Sequence, residues 1–157
     1  MTHAQMKVFE FGIILNGLSV LYKQYASKIS ENRLKGDPEL RNALLGAIMS
    51  MSKSVLVQHI SSFNFKRYKL IIISPPIPKE ISISPELIFY CIAEKKINLE
   101  YITEKMKLIQ DRFIIKYPDI WQACRVETAK YAPFQSVIDG ILEDLKDTHS
   151  ERFGHIF

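Results

Sequence analysis

The stretch Lys7-Val-Phe-Glu-Phe-Gly-Ile-Ile-Leu-Asn16, followed at once by Gly17 and by Leu18-Ser-Val-Leu-Tyr-Lys-Gln-Tyr25, sets the fold. Its first half is rich in β-branched and aromatic residues, which favour extended backbone. Asn16-Gly17 then separates two apolar runs. Both residues tolerate the positive φ of a type I′ turn, the turn whose twist matches that of the strands it joins. The return run predicts a second strand in which Leu18, Val20 and Tyr22 alternate with Ser19, Leu21 and Lys23. The chain therefore opens with an antiparallel hairpin.

Downstream, the polar residues Ala26–Gly36 read as a solvated loop. Asp37-Pro38-Glu39 supplies a cap, a proline at the first helical position and an early negative charge. Leu40, Leu44, Ala47, Ile48, Met51 and Val55 recur at spacings of three and four, predicting an amphipathic helix of about five turns. Ala43, Gly46, Ala47, Ser50 and Ser54 make that helix lean. Val57–Phe65 and Tyr68–Ser74 read as two strands joined around Lys66-Arg67. The proline-rich Pro75–Pro85 cannot pair as sheet. Glu86–Ala93 is a continuous apolar run, the pattern of a central strand covered on both faces. Asn98–Tyr117 predicts a second amphipathic helix closed by Pro118. Asp119–Pro133 reads as irregular, Phe134–Leu145 as a short third helix, and Lys146–Phe157 as a frayed tail.

The order is β-β-α-β-β-β-α plus an added helix. It predicts an α/β (α+β) fold: a five-stranded antiparallel sheet flanked by helices, with the edge at Val57–Phe65. The length of 157 residues fits one domain, with a core at about 7–117 and a helical extension at about 118–157.

Composition excludes several function classes. Hydrophobic residues at 47% and charged residues at 24% are globular values. The net charge of +4 is spread along the chain rather than gathered in a stripe, which argues against nucleic-acid binding. Cys91 and Cys124 lack metal or redox spacing, so a reducing, cytoplasmic setting is expected. Met1–Lys7 lacks the layout of a signal peptide, and no apolar run approaches the ~20 residues of a membrane span.

Searching for chemistry returns little. The six glycines are dispersed and no phosphate-cradling loop is present. His3, His59, His149 and His155 lie far apart, so no metal or cofactor is expected; His149, Glu151 and His155 read as a solvated tail. Cys91 sits mid-strand, where a thiol is usually an inert small hydrophobe. Cys124 borders Arg125 with no histidine near it in sequence. The chain reads as non-enzymatic.

Three features invite binding instead. Leu45, Ile48, Met49, Ser52 and Leu56 extend the apolar arc of the lean helix beyond a single core stripe, and such a helix is either deeply buried or covered by a partner. The edge strand, with His59, Ser61 and Phe63, offers backbone groups to another sheet. Lys66 and Arg67 either guard that edge or form a rim that steers an acidic partner.

The hairpin Phe9–Gly17, the helix Asp37–Lys53, the run Phe63-Asn-Phe-Lys-Arg-Tyr-Lys-Leu-Ile-Ile-Ile73 and the helix ending Phe113-Ile-Ile-Lys-Tyr117 together resemble the longin/roadblock superfamily, whose layout is profilin-like. The likeness is greatest to archaeal members and spans about residues 7–117. The sequence departs from the family in the long proline-rich segment and in the added C-terminal helix. The resemblance implies a homodimer or heterodimer built on the lean helix and the strand after it. Its interface would comprise Leu45, Ile48, Met49, Ser52, Leu56, His59, Ser61, Phe63, Lys66 and Arg67. It further implies a platform or regulator for a small Ras-like GTPase in trafficking-like processes, with peripheral membrane association only through partners. Two other readings stand beside it. One is a small-molecule sensor with a pocket beside the sheet, lidded by Pro75–Pro85 and Trp121. The other is a trafficking module that folds against a partner's coiled-coil helix.

Overall fold

A computed structural model of the chain describes residues 7–25, 60–64, 68–76, 78, 86–123 and 125–145. Within them runs one five-stranded antiparallel sheet: β1 (Val8–Leu15), β2 (Leu18–Gln24), β3 (Ile60–Asn64), β4 (Tyr68–Ile73) and β5 (Leu87–Glu94), in the order β2-β1-β5-β4-β3. The predicted α+β class is found. The turn between β1 and β2 has φ of 50° at Asn16 and 83° at Gly17, the left-handed pair that a type I′ turn requires. β5, the continuous apolar run, is the central strand, and all its residues but Glu94 are buried.

The alternation expected in β2 fails at one place. Ile13 pairs with Leu21 but Ile14 pairs with Ser19, so Val20 is an extra residue, a β-bulge. Val20 and Leu21 are therefore both buried, while Leu18 is 59% exposed. The bulge shifts the phase of the strand and sends Tyr22 and Gln24 to the sheet face opposite Leu21.

Of the helices, α1 (Leu99–Lys116) begins where the Asn98 side chain accepts the Tyr101 N–H at 2.9 Å, and it ends before Pro118. Ile102, Met106, Ile109 and Phe113 form its buried stripe. Five strands span about 19 Å between outer strand axes, nearly twice the ~10 Å width of a helix, so one helix cannot roof a whole face. Accordingly, α1 packs against β4 and β5, and the segment after it covers the rest.

That segment is more ordered than its sequence suggests. A 3₁₀ turn at Pro118–Gln122 leads to α2 (Thr128–Tyr131), a 3₁₀ turn at Ala132–Phe134, α3 (Gln135–Ile141) and a last 3₁₀ turn at Glu143–Leu145. α2 packs on β2. Tyr131, Phe134, Ile138, Ile141, Leu142 and Leu145 are buried in the same core as Phe11, Phe89 and Phe113. The Phe113 ring lies 5.0–5.7 Å, centroid to centroid, from Phe89, Tyr117, Tyr131 and Phe134. Each such pair is worth about 0.5–1.5 kcal/mol beyond its buried area.

Polar ties hold this roof in register. Tyr25 Oη donates to Asp139 Oδ1 at 2.6 Å, and Lys23 Nζ stands 3.7 Å from Asp139. Burial, then the hydrogen bond to Asp139, pushes the Tyr25 phenol well above its ordinary range. Lys105 donates to the Ile141 carbonyl at 3.1 Å and pairs with Asp144 at 3.3 Å; Tyr101 also donates to Asp144. Burial alone raises the Asp144 carboxyl, but Tyr101 and Lys105 outweigh it and hold the group below the usual carboxylate range.

The opposite face carries a second cluster of Ile14, Leu70, Ile72, Ile88, Tyr90 and Ile92, with Phe63 and Tyr68 against it. No described helical residue belongs to this cluster. The predicted helix Asp37–Val55, the loop before it and the tail Lys146–Phe157 lie outside the described residues.

Candidate functional site

Two regions concentrate exposed or unsatisfied backbone and polar chemistry. The first is β3. It ends the sheet, pairing with β4 from Ile60↔Ile73 to Asn64↔Lys69 without a bulge; among the described residues nothing pairs on its outer side. In an antiparallel strand every second residue turns its N–H and C=O away from its neighbour, so β3 turns donors and acceptors to a side on which no described strand lies. Ser62 and Asn64 are exposed on it and Phe63 is half-buried.

Of the residues singled out from the sequence, Ser61 stands on β3 opposite Ile72, and Phe63 opposite Leu70, packed against the second cluster. These two share one strand. Leu45, Ile48, Met49, Ser52, Leu56, His59, Lys66 and Arg67 lie outside the described residues, as do Cys124 and all four histidines. Cys91 is fully buried, and burial followed by the nearby Glu10 charge pushes its thiol far up, so it carries no thiolate at neutral pH. Trp121 packs on the first-face core, away from the second face.

The second region was not anticipated from the sequence. Glu10, on β1, is 0% exposed and accepts a hydrogen bond from Tyr90 Oη at 2.6 Å. Gly12 makes this possible: the Tyr90 ring lies across it, and a Cβ there would sit 2.2 Å from Tyr90 Cε1. Gln24 stands directly across from Glu10 on β2, and its Nε2 is buried with no hydrogen-bond partner among the described residues. Tyr68, edge-on to Phe9 at 5.7 Å, likewise buries a hydroxyl without a partner. A buried carboxylate costs several kcal/mol unless hydrogen-bonded, and each unsatisfied donor costs about 1–3 kcal/mol. A carboxylate, the phenol bonded to it and the amide opposite it on β2 thus stand together on an otherwise apolar face. The signal in sequence was a lone acid, Glu10, inside a run otherwise apolar enough to be buried on both faces.

Among the described residues, no group of His, Cys, Asp and Glu is arranged to hold a metal, and no helix is long and apolar enough to cross a membrane. No protein-family model matches the chain, and no curated protein is significantly similar to it in sequence.

Proposed function

We propose that this chain is a cytoplasmic, non-enzymatic protein-interaction domain that pairs with a second copy of itself through the β3 edge, the pair serving as a platform for a small Ras-like GTPase. The observation that carries this reading is β3: it ends the sheet in unbroken register, with Ser62 and Asn64 exposed and Phe63 half-buried beside them. Unpaired edges recruit other strands unless guarded. The GTPase comes from the longin/roadblock resemblance, with which a five-stranded antiparallel sheet is compatible. On this reading the GTPase holds the nucleotide and this domain positions its switch loops.

The test is a pull-down of the source organism's small GTPases, loaded with GDP or with a GTP analogue, on the immobilised chain. Retention of one GTPase in one nucleotide state is the expected result. Failure to retain any of them in either state would remove the GTPase from the account.

A second reading, a small-molecule sensor, draws support from the buried Glu10–Tyr90 pair and from Gln24 opposite it, whose Nε2 has no hydrogen-bond partner among the described residues. It does not draw on Trp121, which packs on the other face. Metabolite screening by thermal shift separates the two: a stabilising metabolite whose effect is lost in Tyr90→Phe favours the sensor.

A further inference from the structure

Asn16 and Gly17 stand exposed at the tip of the β1–β2 hairpin. Asn16 is also the one asparagine of the chain that glycine follows; Asn32, Asn42, Asn64 and Asn98 precede Arg33, Ala43, Phe65 and Leu99. From the geometry around this pair we infer that Asn16 is a site of self-modification by deamidation. The Gly17 nitrogen attacks the Asn16 side-chain carbonyl, ammonia leaves, and water opens the resulting succinimide to aspartate or isoaspartate.

The nucleophile is open. A two-residue turn closes its ladder on the flanking pair, Leu15 and Leu18, and leaves the Gly17 N–H outside it. A Cβ at Gly17 would meet nothing within 4 Å, and with no side chain of its own the peptide nitrogen is uncrowded. The electrophile is held and polarised. Asn16 Oδ1 accepts the Glu86 N–H at 2.9 Å, and the Asn16 N–H donates to the Glu86 carbonyl at 2.8 Å. As the Gly17 nitrogen adds to Cγ, negative charge develops on Oδ1, where the Glu86 N–H already points. Asn16 Nδ2, the leaving group, has no hydrogen bond to hold it.

The steps balance with water as the only co-reactant. The Gly17 nitrogen gives its proton to solvent and forms a bond to Cγ; the Cγ–Nδ2 bond breaks, and Nδ2 takes up a proton and departs as ammonia. Water then adds to one ring carbonyl and cleaves that carbonyl from the Gly17 nitrogen. Cleavage at Cγ leaves aspartate on an ordinary backbone, with an oxygen still facing the Glu86 N–H. Cleavage at the main-chain carbonyl carries the backbone through the former side chain, as isoaspartate. That product adds one carbon to a turn whose two residues have φ of 50° and 83°, so the turn no longer matches the twist of its strands and the pair of bonds to Glu86 is lost.

Peptide mapping of the intact chain after ageing at neutral pH, with isoaspartyl methyltransferase labelling of the product, tests this. Folded wild type should lose the Asn16 amide at least about tenfold faster than the amides of Asn64 and Asn98. It should do so no more slowly than the same chain in urea, because the fold supplies the donor to Oδ1. Glu86→Pro removes that donor at the residue before β5, where proline costs no ladder bond. It should slow the folded reaction about tenfold and leave the reaction in urea unchanged. Gly17→Asn keeps a residue that tolerates positive φ, has room for its Cβ, and should slow the loss at Asn16 at least about tenfold. An Asn16 amide that survives in the folded chain after the chain in urea has lost it overturns the inference, and this comparison needs no variant. So does a Glu86→Pro chain, shown to fold by thermal unfolding, that reacts as fast as wild type.

Discussion

β2 and β3 end the same sheet by different means. β2 is seven residues long, carries a bulge at Val20, and is tied through Lys23 and Tyr25 to the segment that roofs its side of the core. β3 is five residues long, runs in straight register along β4, and has no described neighbour beyond it. Bulges and covering segments are two of the devices that keep an edge from templating a second sheet. At β2 both are present. At β3 neither is present among the described residues. The difference is one of closure: the β2 end is bulged and roofed, and the β3 end, among the described residues, is neither.

If the β2 end is integral to the core, stability should be distributed unevenly between the ends. Phe134→Ala removes a ring that is 1% exposed and packed on Phe113 and Tyr117, and should cost about 3–5 kcal/mol. Phe63→Ala, on half-buried β3, should cost about 1–2 kcal/mol, because less area is lost and the site can collapse. Urea midpoints at unchanged slope measure both. Equal costs would mean that the two ends are built alike.

A finer cut is Tyr25→Phe. It deletes the 2.6 Å hydrogen bond to Asp139 and nothing else, and should cost about 1 kcal/mol, since Asp139 keeps partial access to water and the neighbouring Lys23. Amide exchange in α3 should accelerate with it. An unchanged α3 would show that the roof is held by packing alone.

Much of this frame could be read from the residues. Asn16-Gly17 specifies its turn by conformational freedom, a property of two neighbouring residues. The run Leu87–Ala93 specifies a central strand because only a strand covered on both faces has no polar side. The remaining features depend on neighbours distant in sequence. Nothing in Ser19-Val20-Leu21 marks a bulge; it arises where β2 must meet both β1 and the roof. Glu10 becomes a site only because Tyr90, eighty positions away, folds across Gly12 to reach it. Phe134 and Ile138 were legible as apolar helix positions, but the face they cover follows from sheet width and order. Of the residues expected at an interface, Ser61 and Phe63 fall together on the predicted edge strand.

The central claim, that β3 receives another chain, is tested most directly by site-resolved amide exchange across a dilution series, with light scattering on the same samples. The account predicts a dimer at high micromolar concentration, with the exchanging amides of Ile60–Asn64 slowed at least about tenfold relative to the dilute chain and those of Leu18–Gln24 unchanged. A strict monomer at high micromolar concentration, or a dimer in which β3 exchanges as fast as it does when dilute, would contradict it.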